Sequence, residues 1–115
     1  MSMMRPLVGM TIQASASVGV YNEEDGRVRI VETVGVIDVT PGGLSDGRVQ
    51  VGDVLVSIRI GNRTRTVTRL FHLIDFMMTA RAGDTVVLTV LRDGVSTEIE
   101  LPITEAQLTP YGLLG

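Results

Sequence analysis

The chain offers few residues able to do chemistry. It carries one histidine, His72, and no cysteine. Thiol catalysis, disulfides and cysteine-held zinc are excluded on that count, and one histidine without cysteine is a poor basis for catalytic zinc. His72 with a serine would still need an orienting third group and an oxyanion site. Nothing in the sequence assembles them, and His72 reads as a helix-surface or groove-rim residue. Glu23, Glu24 and Asp25 stand together, but without the spacing of a calcium loop, and they read as a solvated hairpin tip. Asp53, Asp84 and Asp93 each adjoin a glycine. They are turn formers, not paired carboxylates for acid–base work. Arg59, Arg63, Arg65 and Arg69 form a basic cluster that reads as a solvated face, with an acidic peptide flank or docking to a sister domain as the functional alternatives. The chain is not expected to be an enzyme, and no cofactor or metal is expected.

The elements that would position these residues are mostly strands. A chain of 115 residues, 44% of them apolar, fits one domain with one core. Aromatic content is 3% with no Trp, so the core must be Val, Ile, Leu and Met. Thirteen glycines imply many turns. The net charge of −3 and pI of about 5.0 argue against nucleic acid as a partner. No apolar run approaches the ~18 residues that span a membrane, and no apolar stretch of a secretory leader follows Arg5.

Leu7 to Ser17 alternates with a period of two and reads as a strand. Asp25-Gly26 marks a hairpin turn into a returning strand, Arg27 to Thr33, and Val34 to Val39 follows as another strand. Pro41-Gly42-Gly43 breaks it, and Leu44 to Asp46 has room for one helical turn. Val54 to Ile60 reads as a buried strand, with Arg63 to Val67 pairing beside it. A helix is predicted from Arg69 to Ala80, N-capped by Thr68, with Leu70, Leu73, Ile74 and Met77 at helical spacing and Gly83 as the stop beyond it. Thr85 to Leu91 and Ser96 to Ile103 form a final hairpin around Arg92-Asp93-Gly94. The predicted class is mostly β with helix (α+β): a small barrel or sandwich capped by one long helix, with space for a second short one. Residues 1–4 read as a tag or linker, 5–104 as the domain and 105–115 as a tail.

Three stretches resemble a PDZ domain, of the circularly permuted type attached to HtrA/Deg-family serine proteases. They are Arg5-Pro6-Leu7-Val8-Gly9-Met10; Val39-Thr40-Pro41-Gly42 through Val51-Gly52-Asp53-Val54-Leu55; and Ala82-Gly83-Asp84-Thr85-Val86 through Leu91-Arg92-Asp93-Gly94. The short helix after Pro-Gly departs from the family pattern, since Gly43-Leu44-Ser45-Asp46-Gly47 stands there. Ile58 to Thr68 is longer than the family norm.

The resemblance implies a module that captures polypeptide C-termini. Its carboxylate loop falls on Val8, Gly9 and Met10, whose successive amides would form an anion-binding concavity, with Gly9 allowing close approach. The strand after it would offer its edge for β-augmentation. Leu7, Val8, Met10 and Ile12 would line one side of an apolar groove, and Leu70, Leu73 and Met77 the other. A helix register one residue different would turn His72 and Phe76 into the groove. By resemblance the expected partners are C-terminal peptides and a parent protease domain, in a bacterial protein working in quality control, exported or at the cell surface. The alternatives are a non-proteolytic scaffold, or an interdomain packing module with a closed groove. The tail, Tyr111-Gly112-Leu113-Leu114-Gly115, is a candidate for head-to-tail self-association.

Overall fold

The computed structural model describes residues 3–15, 18–105, 108–109 and 112–113. In chain order the elements are β1 (Met3–Leu7), β2 (Met10–Ala14), β3 (Val18–Asn22), β4 (Arg27–Val31), β5 (Val34–Val39), β6 (Val54–Ile60), β7 (Arg63–Thr66), α1 (Leu70–Met77), β8 (Thr85–Arg92), β9 (Val95–Pro102), β10 (Leu108–Thr109) and β11 (Gly112–Leu113). The main sheet is antiparallel in the order β1-β2-β5-β6-β8-β9, with β7 also pairing β6. Two hairpins, β3-β4 and β10-β11, stand apart from it. The mostly β fold with one helix agrees with the class predicted from the sequence.

Side-chain alternation explains the core. Val86, Leu88 and Val90 of β8 face inward with Ile99 and Leu101 of β9, each residue two places from the next. In β6 the inward set runs Leu55, then Ile58 and Ile60. The change of phase coincides with a register shift between Leu55 and Ser57 against β8. A bulge adds one residue and turns the following side chains to the other face. A second shift, between Thr11 and Ile12 against β5, makes Ile37 the extra residue, so that Ile37 and Asp38 are both exposed in succession after the buried Val34 and Val36. The largest fully buried side chains include Met10, Ile12, Ile58, Leu73, Met77, Leu88, Leu101 and Ile103, the aliphatic and methionine core that the composition requires. Asp93 (φ 52°) and Gly94 (φ 79°) both sit in the left-handed region and join Arg92 to Val95 in the predicted tight hairpin.

Several predicted boundaries move. The strand expected from Leu7 to Ser17 folds back at Val8-Gly9, so Leu7 ends β1 and Met10 begins β2; Ser17 lies outside the described residues. Leu44 to Asp46 forms successive turns instead of a helix, with the Asp46 amide on the Gly43 carbonyl at 3.1 Å. The helix is shorter than predicted. Thr68 does not cap it; the Leu70 amide donates to Glu32 Oε1 at 3.1 Å, a partner 38 residues distant that spacing could not reveal. At the other end the Thr79 hydroxyl donates to the Phe76 carbonyl at 2.7 Å, taking an acceptor that another helical turn would need. Gly83 is therefore a turn residue before β8. In the tail, Leu108 pairs Leu113, while Tyr111, Leu114 and Gly115 lie outside the described residues.

Between β5 and β6 the backbone is irregular and is organised by Asp53. The side chain is 1% exposed. Arg92 donates Nε to Oδ1 at 2.9 Å and Nη2 to Oδ2 at 2.8 Å, and the Gln50 amide donates to Oδ2 at 2.9 Å. Burial alone would raise the Asp53 pKa; the Arg92 hydrogen bonds, the Gln50 amide and the Arg92 charge outweigh it and hold the carboxyl below its ordinary value. Such a group adds stability above its unfolded pKa and loses it as pH falls through the folded one. Asp53→Ala should cost about 3 kcal/mol in urea unfolding, by leaving a charged partner unmatched. It should also remove part of the loss of stability between pH 4 and more acid conditions that the native chain shows.

Candidate functional site

The turn between β1 and β2 is built from two left-handed residues, Val8 (φ 44°) and Gly9 (φ 82°). For glycine this conformation is free, but for a β-branched residue it is strained. Three contacts hold it. The Ser45 hydroxyl, wholly buried, donates to the Val8 carbonyl at 2.7 Å. The Thr40 amide donates to the Gly9 carbonyl at 2.8 Å. Gly9 lies so close to Gly43 and Leu44 that a Cβ on it would sit 3.1 Å from the Leu44 nitrogen and 3.3 Å from Gly43 Cα. The Val8 side chain is buried in the core beneath. Both turn carbonyls are thus held by residues 40–45.

Both edges of β2 are engaged. One pairs β5. The other, expected to be free, pairs β1 in unbroken register from Leu7↔Met10 to Met3↔Ala14. Met10 and Ile12 point into the core, Ile12 with no exposure, so the two serve as the floor beneath this edge.

The helix has three faces. Leu70, Leu73 and Met77 are core, the last two fully buried. On one flank His72 and Phe76 share a hollow of about 200 Å³ with Arg65 of β7, Asp75 and Thr79. Arg63, on β7, lies 5.3 Å from the Phe76 ring centroid. That flank belongs to β7. The opposite flank carries Phe71 (49% exposed), Ile74 (partly buried) and Met78 (46% exposed). Of this apolar stripe at i, i+3, i+7 only Ile74 was among the residues selected from spacing. Periodicity found the buried stripe, and the exposed one beside it was legible only as a widening of it.

His72 accepts a hydrogen bond at Nδ1 from the Thr68 amide at 3.3 Å, which places its proton on Nε2. Burial, then the charges of Arg65 and Arg69, lower its pKa against the opposing pull of Asp75 and Glu32. This surround favours the neutral over the charged imidazole. The arginine cluster divides. Arg63 and Arg65 alternate onto the face shared with Ile60 and Ile58, their register partners. Arg59 lies on the other face, 4.0 Å from Glu98. Among the described residues no group of three histidine or acidic side chains could hold a metal, and no helix is long and apolar enough to cross a membrane. Ser45, Thr40 and Gly43, which hold the turn, were named in the sequence only as part of the Pro-Gly segment and the break around it, with no role toward Val8 and Gly9.

The family model described as PDZ domain matches residues 6–103. Neither a curated protein nor a solved structure matches the chain.

Gly9→Ala should lower stability by about 1–3 kcal/mol, from the left-handed backbone and the crowding at Leu44 together; chemical denaturation measures it. By proton NMR, His72 should titrate below its ordinary 6.5, and Arg65→Gln should move the midpoint back up. A lowered histidine pKa contributes stability above the unfolded pKa that is lost as pH falls through the folded one, so this contribution should decline below about pH 6.5.

Proposed function

The chain belongs to the PDZ domain family, and we propose that it captures the C-terminal ends of other polypeptides between β2 and α1. A PDZ domain is a peptide- and protein-binding module, itself non-catalytic. The observation that carries the finer reading is the Val8-Gly9 turn. Its carbonyls are tied to Thr40 and Ser45, which supports a reading in which the amides of Gly9 and Met10, on the opposite side of the same peptide planes, together with that of Val8, serve an anion. A terminal carboxylate is the anion that fits at the end of a strand edge. Backbone pairing supplies affinity, and side-chain choice falls to the apolar surround.

The stripe Phe71, Ile74, Met78 is assigned to that surround because it is exposed or partly exposed while Leu70, Leu73 and Met77 are buried. Ile12, Leu70, Leu73 and Met77 support the groove from the core, and Leu7, at the end of β1, borders the carboxylate loop. An apolar last residue is preferred, and methionine adapts to several shapes. Burying one such side chain contributes roughly 1.5–3 kcal/mol. Micromolar binding needs about 8 kcal/mol, so carboxylate and strand bonds must supply the larger part. The three matching stretches support placing the domain as the regulatory or substrate-binding part of an HtrA-like serine protease. A specific observation favours a second reading, an interdomain packing module with a closed groove: β1 already covers the edge of β2.

Peptides with free apolar C-termini should bind, and their C-terminal amides should not. Equal binding of both in titrations of the whole chain would reject carboxylate capture and favour the packing module.

A further inference from the structure

β1 pairs with β2 as an incoming peptide would. It runs antiparallel to β2, and its C-terminal residue, Leu7, lies opposite Met10 at the start of β2. A ligand strand ending at the carboxylate loop has the same direction and the same end point. We infer that β1 is an intramolecular occupant of the peptide site, and that a ligand binds only by displacing it. This rests on the capture reading above and adds its regulation.

Hydrogen-bond alternation supports displacement over addition. A two-residue loop makes Leu7 and Met10 a hydrogen-bonded pair, and the kind of pair alternates from there. Arg5↔Ile12 and Met3↔Ala14 are therefore also hydrogen-bonded, while Pro6↔Thr11 and Met4↔Gln13 are not. The amides of Met10, Ile12 and Ala14 then face β1. Thr11 and Gln13 face β5, with which they are also in register. The donors a ligand strand would use are those that β1 uses, and Met10 is one of the three expected at the carboxylate.

Pro6 explains why a ligand would not simply add to the outside of β1. At a non-hydrogen-bonded position its nitrogen points away from β2. Lacking an N–H, it costs the β1-β2 ladder nothing and removes a donor from the outer edge. β1 is thus a strand that closes an edge and blunts the new one. The strain at Val8 limits how firmly it closes. A β-branched residue at φ 44° is held left-handed only while the turn is formed, and releasing β1 lets that residue relax. A site open for a fraction of the time binds with its intrinsic Kd divided by that fraction.

Two variants of the whole chain test this, with a free-carboxylate apolar peptide as the probe. Arg5→Pro removes a donor that faces β2 and leaves β2 unaltered. It should tighten peptide binding about tenfold or more by raising the open fraction. By hydrogen exchange, Met10, Ile12 and Ala14 should lose protection while Thr11 keeps it, which shows that the fold survives. The pair Met4→Cys with Gln13→Cys sits at a non-hydrogen-bonded position, where Cα atoms are about 4.5 Å apart and a disulfide closes without strain. The chain has no cysteine of its own to compete. Oxidation should abolish binding and reduction restore it. If oxidised and reduced forms bind equally, and Arg5→Pro changes nothing, the strand is no plug and capture stands. If no form binds, Arg5→Pro included, the capture reading fails and the displacement mechanism fails with it.

Discussion

Asp53 lies out of water with the Arg92 guanidinium on both its oxygens, and the irregular backbone between β5 and β6 is arranged around it. Arg92 reaches from the end of β8 and also donates to the Arg48 carbonyl at 3.1 Å. The pair therefore pins the middle and the end of this connection to the main sheet. A buried carboxylate in such a place is costly unless every lone pair is matched, and here the match joins segments 39 residues apart. The same connection carries Thr40, Gly43 and Ser45, which in turn hold Val8 and Gly9. The shape of the candidate carboxylate loop thus depends on an ion pair that lies outside the loop itself.

Under the proposed reading, that dependence would give the site a fixed floor, with β1 as its displaceable edge. Met10 and Ile12 are buried in the core, and Leu70, Leu73 and Met77 of α1 are buried in the same apolar cluster. β1 is the edge strand of the sheet, held by one neighbour. Edge strands open at lower free energy than central ones, because fewer buried contacts are lost. A site in which the donors are fixed and the first occupant is peripheral can be regulated without refolding the core. The flank of α1 toward β7 is different in kind. Its hollow sets Phe76 among Arg65, His72, Asp75 and Thr79, so ionisable groups stand beside the apolar surface there, whereas Phe71, Ile74 and Met78 are all apolar.

Much of this was legible in the residues. Asp93-Gly94 was read as a tight turn because that dipeptide tolerates positive φ at both places, and both φ are positive. The aliphatic core followed from the near absence of aromatic residues. The helix was found by its period, with both ends displaced. Its N-terminal partner, Glu32, comes from a distant segment, and Thr79 stops it by a side-chain bond that period analysis cannot see. Of the proposed site, the loop Val8-Gly9-Met10 was assigned from the resemblance, while the helix residues chosen for the groove were those with the strongest apolar period. The strongest period marks the face toward the core, so it selected Leu73 and Met77 over the half-exposed Phe71 and Met78.

The sequence by itself determined what is local or compositional: strand alternation, turn positions, one helix, an aliphatic core, and the lack of any nucleophile–base constellation. The tertiary structure decided which strand edges are engaged, which flank of the helix is open, and what holds the turn. Edge pairing between β1 and β2 is invisible in a period of two, because Leu7 to Ser17 alternates equally well as one strand or as two joined by a turn. The choice is made by Ser45 and Thr40 on the turn carbonyls and by the space Gly43 leaves for Gly9. Those contacts come from residues about 30 to 40 positions along the chain, where only folding brings them together.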